Sequence, residues 1–464
     1  MSDIPVTSLE THRAFCASPR EHILMITNHG IHQWNIIPGL PDTGGQNVFV
    51  NQFTEALAEL GFRVTIVNRG GYPHPVTGEP RRGLHYKDEN QRILYLEDGL
   101  QRFVRKEDMN ERVPLLVEFL RAYLDAEGTD VDLILSHYWD GLKIGALFNR
   151  TLSEPVRHIW TPHSLGAIKK RNVSPDQWTD LRVDERIAAE RKLLKEVDGV
   201  AATSSTVRRS LEEDYHYSGR ILFLPPSVDT DRFHPREVRD GDGVWEFLSH
   251  WSGLSPGEVR ECGIVTEISR TAPTKRKSVL IEAFAMVAGR VPKNLLVVSV
   301  DDNKKELAGQ LKGLIRTLGI RNCVATYVPD DVLPALYAVT DVYCTPSIME
   351  GFGMSVQEAA ATGVAVVASD LVPFATEYLL GADTNEVDVE GSHQPLTVGE
   401  GAIVVDADDV KGFACALEML LCEDDLREAM GQRAYQITIP YFTWPRRASR
   451  FLQQLKMRPA SSDV

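Results

Sequence analysis

The sequence predicts an α/β protein built from two doubly wound, mainly parallel sheets. Short apolar runs are each followed by a Gly- or Pro-bearing loop and then by apolar residues at helical spacing, and this unit recurs through two halves of the chain. A Pro225-Pro226 break and a polar stretch from Asp229 to Asp242 separate the halves. A parallel strand reads as a continuous apolar run because helices cover both faces of its sheet, and strand–helix alternation requires right-handed crossovers. At 464 residues the chain exceeds one ordinary core, so two domains are expected. They are residues 1–225, completed by 441–464, and residues 226–440.

In the first half, His22 to Thr27 reads as a buried strand, and Asn47 to Leu60 carries Val48, Phe49, Phe53, Leu57 and Leu60 near helical spacing. Strands follow at Arg63 to Val67, Ile93 to Leu96, Val131 to Leu135, His158 to Thr161, Gly199 to Thr203 and Ile221 to Leu224, with helices such as Val113 to Ala126 and Asp184 to Glu196 between them. A helical insert, Val244 to Cys262, leads into the second half. Its strands are Gly263 to Ile268, Leu295 to Val300, Val324 to Tyr327, Asp341 to Cys344, Val364 to Ala368 and Ala402 to Val405. Thr384 to Glu400 is polar and aperiodic and reads as a surface loop. Helices Lys411 to Cys422 and Asp425 to Gln436 close this half, a last helix starts near Thr443, and the tail Pro459 to Val464 is expected to be disordered.

A formal charge of −15 argues against nucleic acid as a partner. No window of about 18 uncharged apolar residues is present, so no integral membrane segment is expected. Six scattered cysteines without a C-x-x-C pair read as free buried thiols of a reducing compartment, and a cytoplasmic location is expected.

The stretch Ser347-Ile-Met-Glu350-Gly351-Phe352-Gly353-Met354-Ser-Val-Gln-Glu358 joins a buried strand to a helix. Free backbone N–H groups at a glycine-flanked helix start suit an anion or a row of sugar hydroxyls, and Glu350 can accept hydroxyl protons that N–H groups cannot. Glu358 lies deeper in the helix and serves another part of a long ligand, unless both glutamates only complement the helix dipole. Gly44 and Gly45, opening the first helix in Asp42-Thr-Gly-Gly-Gln46, allow close backbone approach to a phosphate or sugar, or simply a tight turn. Arg270 and Lys275 follow the first strand of the second half, where a guanidinium and an ammonium can neutralise a diphosphate, or form with Arg276 and Lys277 no more than a solvated basic turn. His137 and His163 end apolar strands and can reach a sugar hydroxyl, unless His137 is a satisfied core residue, while Lys169, Lys170 and Arg171 form a basic triplet suited to an anionic acceptor or simply a solvated face. No His, Cys or Asp/Glu spacing resembles a zinc site, and there is no G-x-S-x-G nucleophile elbow.

Together these motifs resemble the retaining GT-B glycosyltransferases of family 4 over nearly the whole chain. The E-x7-E element Glu350 to Glu358, with Arg270 and Lys275 upstream, is the most specific mark. Asp42-Thr-Gly-Gly-Gln46 and His163-Ser-Leu-Gly166 are similar to the branch holding sucrose synthase, sucrose-phosphate synthase and mannosylfructose-phosphate synthase. The resemblance implies two Rossmann-like domains facing a central cleft, with the C-terminal helix crossing back to the first. It implies a nucleoside diphosphate sugar as donor, UDP-glucose first and GDP- or ADP-sugars as alternatives, with no essential cofactor or metal.

By the same resemblance Arg270 and Lys275 face the diphosphate, and Glu350 with the N–H groups of Gly351, Phe352, Gly353 and Met354 fixes the sugar hydroxyls. Glu358 holds the ribose, and His163 lies near the reacting carbon. Gly44 and Gly45 approach the donor phosphate or the acceptor; Gln46, His137, Lys169, Lys170 and Arg171 are the acceptor-side candidates. The implied reaction is transfer of a hexose to a small soluble acceptor such as a sugar phosphate or compatible-solute precursor. Sucrose-synthase-like or mannosyl transfer, a sugar-nucleotide epimerase and a non-catalytic sugar-nucleotide sensor are the alternatives, and an oligomer is compatible with all of them. The sequence departs from the family at Pro225-Pro226-Ser227, where Gly is usual third, and at Val300-Asp-Asp-Asn303, where Gly is usual.

Overall fold

The computed structural model describes residues 9–28, 30–37, 40–302, 304–392 and 394–457. The tail Pro459–Val464, expected to be disordered, lies outside the described residues. The chain forms two compact units, one ending at Pro225 and resuming at Trp444, the other Pro226–Thr443.

The first unit holds eight strands: β1 (His22–Ile26), β2 (Arg63–Arg69), β3 (Gly83–Tyr86), β4 (Gln91–Leu96), β5 (Leu133–His137), β6 (Arg157–Thr161), β7 (Gly199–Ala202) and β8 (Ile221–Phe223). They lie in the order β3-β4-β2-β1-β5-β6-β7-β8, and every pairing is parallel except β3 with β4. Alternate residues of β1 serve opposite cores, as the two-residue period of a strand requires. Ile23 and Met25 pack with Phe49 and Phe53 of helix Gly45–Glu59 and with Trp444 and Phe451 of the final helix, Trp444–Leu455. Leu24 and Ile26 pack with Leu116 and Leu120 of helix Val113–Glu127 and with Ile144 and Phe148 of helix Tyr138–Asn149.

The second unit has β9 (Gly263–Glu267), β10 (Asn294–Ser299), β11 (Cys323–Thr326), β12 (Val342–Thr345), β13 (Ala365–Ser369), β14 (Asn385–Val387), β15 (Leu396–Val398) and β16 (Ala402–Val405). Their order is β11-β10-β9-β12-β13-β16-β15-β14, parallel through β16 and antiparallel beyond it. Val265, Leu296, Val298 and Val367 meet Phe284, Phe413 and Leu417 on one face. On the other, Tyr343, Val366 and Ala368 meet Val356, Phe374 and Phe442.

Several expectations are corrected. The polar stretch Thr384 to Glu400 is not simply a loop: it supplies β14 and β15, which extend the sheet as an antiparallel pair anchored by fully buried Leu396. The insert Val244 to Cys262 is two helices, Gly243–Ser252 and Pro256–Arg260, split at Gly253 and restarted by a Ser255 cap that Glu258 completes. Helices Leu9–Ala17 and Tyr138–Asn149 and the edge strand β3 were not anticipated. All six cysteines are free, but only Cys344 is fully buried, and Cys422 is exposed. Among the described residues no helix is long and apolar enough to cross a membrane.

In each sheet the order reverses beside the first strand of its half, between β1 and β5 and between β9 and β12. Loops leaving the carboxyl ends of those strands are where doubly wound sheets bind ligands. The Gly44-Gly45 loop follows β1, His137 ends β5, the Arg270–Lys275 loop follows β9 and the Glu350–Gly353 loop follows β12.

Candidate active site

In the second unit the two loops at the reversal point are tied together. Ile348 N–H donates to the Thr274 carbonyl at 2.9 Å, Ser347 Oγ donates to the same oxygen at 3.3 Å, and the Lys275 ammonium pairs with the Glu350 carboxylate. Lys275 is buried and Glu350 half-buried, whereas Arg270 is exposed and forms no ion pair among the described residues. Helix Met354–Ala361 starts after Gly353, whose φ is +107°. A β-carbon on Gly353 would stand 2.9 Å from Val372 Cγ1, so both backbone conformation and space require glycine.

The Phe352 side chain turns into the core. Its ring is buried against Phe374 at 5.2 Å and against Tyr378 and Phe442, and its carbonyl accepts from Phe374 N–H at 2.8 Å. That anchorage leaves the N–H groups of Gly351 to Met354, which donate to no group among the described residues, at the helix entrance. A helix N-terminus so arranged favours anions and hydroxyl oxygens. Glu358 sits in the helix's second turn and accepts from Tyr337 Oη at 3.2 Å. Burial pushes its carboxyl up to about 7, against that hydrogen bond and the charge of Arg232.

In the first unit Gly44 caps helix Gly45–Glu59: its N–H donates to Asn47 Oδ1, and Asn47 N–H returns to its carbonyl, both at 2.9 Å. Gln46 Nε2 donates to Thr27 Oγ1 at 3.1 Å, so its side chain lies along the end of β1. His137 Nδ1 and His163 Nε2 are 2.9 Å apart, their rings stacked at 5.1 Å. The edge of Phe49, one turn into the Gly45 helix, meets His163 at 4.9 Å. Gly44, Gly45, Gln46, His137 and His163 are thus brought to one place. His163 is held at φ +53° in a loop that buried Arg186 and Glu190 clamp, Arg186 to the Ser164 carbonyl and Glu190 to Gly166 N–H at 3.0 Å.

The basic triplet, by contrast, is divided. Lys169, Lys170 and Arg171 lie on helix Gly166–Asn172, where successive side chains point about 100° apart. Lys170 pairs with Asp184 at 2.7 Å and Arg171 with Asp214 at 2.8 Å, both on the surface. Burial pulls the Lys169 ammonium below the ordinary lysine range, the charge of Tyr138 opposing and those of Arg186 and Lys106 adding.

Lys106 was missed from the sequence. It pairs with Asp42, and although burial opposes its charge, Tyr138 and Asp42 together raise its pKa. The same loop, with the start of the Val183–Leu193 helix, encloses a recess of about 520 Å³ whose wall includes Arg102, Arg105, Arg112 and Arg182. Asp108 holds Arg182 at 3.0 Å and Asp180 holds Arg105 at 3.3 Å, whereas Arg102 and Arg112 form no ion pair among the described residues. The one group of metal-ligating side chains that converges among the described residues is His12, Cys16 and Glu127. Both oxygens of Glu127 are already held by Arg92 at 2.6 Å.

Two wound sheets, each with its ligand loops at the reversal point, one bearing an E-x7-E helix entrance beside a cationic loop, define a glycosyltransferase of the GT-B class. Residues 43–232 match the family model described as "Glycosyltransferase Family 4" and residues 258–437 the one described as "Glycosyl transferases group 1". Mannosylfructose-phosphate synthase of Agrobacterium fabrum is 30% identical over 376 residues, 78% of this chain and 77% of that one. D-inositol 3-phosphate glycosyltransferase of Corynebacterium urealyticum is 26% identical over 428 residues, 91% and 92% of the two chains. Sucrose-phosphate synthase from Thermosynechococcus elongatus has a similar structure, with a TM-score of 0.76 at 22% identity over 94% of this chain and 98% of that one. The chain belongs to glycosyltransferase family 4.

Proposed function

We propose that the protein transfers a hexose from a nucleoside diphosphate sugar, UDP-glucose in the expected case, to a phosphorylated sugar or polyol with retention at the anomeric carbon. The observation that carries this reading is the tie between the loops after β9 and β12. It sets Lys275 against Glu350 beside the N–H groups of Gly351 to Met354. A diphosphate would take the Lys275 ammonium and the Arg270 guanidinium, which stabilise the charge that builds as the anomeric bond to the leaving oxygen breaks. Glu350 and the helix-entrance N–H groups hold sugar hydroxyls, and Glu358, as carboxylate, holds the ribose hydroxyls. The acceptor hydroxyl attacks the same face of the sugar, and its proton passes to the leaving phosphate oxygen.

On the acceptor side, Gly44, Gly45, Gln46, His137 and His163 form one cluster, with His163 assigned to the reacting carbon. Lys170 and Arg171, engaged by Asp184 and Asp214, are withdrawn from the acceptor's anionic group. That role goes to Lys169, to half-buried Lys106, whose pairing with Asp42 would be exchanged for the anion, and to Arg102 and Arg112 of the recess, which form no ion pair among the described residues. The names of the three relatives, each containing a phosphate ester of a sugar or of inositol, support a phosphorylated acceptor.

Purified protein tested with UDP-, GDP- and ADP-hexoses against hexose phosphates, inositol phosphate, glycerol phosphate, glycerate and free sugars should release nucleoside diphosphate only when donor and acceptor are both present. The product's anomeric configuration should match the donor's by NMR. Donor conversion without an acceptor would point to epimerisation, and Glu350→Ala or Lys275→Ala with near wild-type turnover would remove this reading of the site.

A further inference from the structure

Lys277 begins the helix Lys277–Ala288, two residues after Lys275, yet its side chain turns into the interior, with 1% of it exposed. The ammonium lies 2.9 Å from Glu267 Oε2, whose side chain is fully buried, and donates to the Ser269 carbonyl at 2.8 Å and to the Ser299 carbonyl. Two of the ammonium's protons go to these carbonyls, and Glu267 opposes its charge as an ion-pair partner whose carboxylate oxygens accept no hydrogen bond among the described residues. Glu267 and Ser299 are the last residues of β9 and β10, and Ser269 immediately precedes Arg270. One charge therefore fastens two strand ends and the root of the cationic loop to the helix that follows it.

A buried ion pair is a weak source of stability, since an apolar pair of equal volume is often as good. The surroundings point to what this one does. Between Pro273, Arg276 and Lys277 on one side and Leu307 and Leu311 of helix Lys305–Thr317 on the other lies a recess of about 240 Å³, so the loop is open on that side. Its attachments are polar: Thr271 Oγ1 accepts from Asp301 N–H at 2.8 Å, the Thr274 carbonyl accepts from Ile348, and Lys277 grips Ser269.

We infer that Lys277 is a positioning residue for diphosphate recognition, fixing the Ser269 carbonyl so that Arg270 and Lys275 are aimed together at the ligand's second phosphate. Lys277 itself touches no substrate. The inference rests on the assignment of Arg270 and Lys275 to the diphosphate made above.

The test is a titration of UDP and of UMP by calorimetry into wild type, Lys277→Met, the double variant Glu267→Gln/Lys277→Met and Lys275→Ala. Should the wild type bind another nucleoside diphosphate instead, that compound and its monophosphate are used. Both Lys277 variants should bind UDP at least tenfold more weakly and UMP within twofold of wild type. An equal loss for UDP and UMP, or no loss for UDP, overturns the inference. If Lys277→Met does not fold, the double variant decides, and if neither folds the pair serves stability alone and the inference fails. Loss of UDP preference in Lys275→Ala but in neither Lys277 variant sinks this inference only. No loss in Lys275→Ala sinks the diphosphate assignment beneath it.

Discussion

Replacing Glu358 by glutamine should stabilise the protein at pH 8 and leave its stability unchanged near pH 4.5. Burial raises the folded-state pKa from the ordinary 4.5 to about 7. Across that window the native protein holds a proton that the unfolded chain has released, so the stability this group contributes falls as pH rises and levels off above 7. At about 1.4 kcal/mol per unit the window is worth ~3 kcal/mol, and because the residue is half-buried, solvent screening lowers the expectation to ~1–3 kcal/mol. Glutamine is neutral throughout, so the difference between variant and wild type in urea unfolding from pH 4.5 to 8.5 should trace the titration. A constant difference, or a variant less stable at pH 8, would refute the reasoning. The same group should govern the ligand: if the carboxylate holds the ribose, wild-type nucleotide affinity drops about tenfold per unit below pH 7, while the variant binds weakly at every pH.

Three further outcomes are expected. Gly353→Ala forces a β-carbon against Val372 at φ +107°, and a loss of ~1–3 kcal/mol in chemical denaturation should accompany weaker donor binding. Lys106→Ala and Arg112→Ala should raise KM for a phosphorylated acceptor at least tenfold, while Lys170→Ala and Arg171→Ala, already committed to Asp184 and Asp214, stay within twofold in steady-state kinetics. Lys277→Met leaves Glu267 buried and unpaired and should cost ~3–5 kcal/mol by urea titration, most of it recovered in Glu267→Gln/Lys277→Met.

The parallel strands were legible because burial on both faces forces continuous apolar runs, as in β1 and β13, every residue of which is buried. Glycine loops at helix starts were equally legible, since a helix entrance beside Gly353 has a local signature. What escaped depends on partners distant in sequence. Lys170 and Arg171 read as free charge until helix Gly166–Asn172 turned them toward Asp184 and Asp214. The arginine recess draws on residues 100–112 and on Arg182, which no local window joins. β14 and β15 hide in a polar segment because an antiparallel edge pair needs little more than Leu396 inside. Helix Tyr138–Asn149 starts directly from β5 with Tyr138 at φ +63°, without a capping side chain to announce it.

Gly44, the cap of its helix, has a remote guarantor. Gly30, at φ +74°, lies so close beneath the Asp42 carbonyl that a β-carbon there would overlap its oxygen. Asp42 is the partner of Lys106, and the next residue, Thr43, accepts from Ile31 N–H at 3.0 Å. A side chain at position 30 would therefore displace the Asp42–Gln46 loop, proposed above for the acceptor side. If that loop meets the acceptor as proposed, residues 42–46 can be rewritten for a different acceptor only while position 30 stays bare, which would place the first constraint on specificity at a residue outside the loop itself.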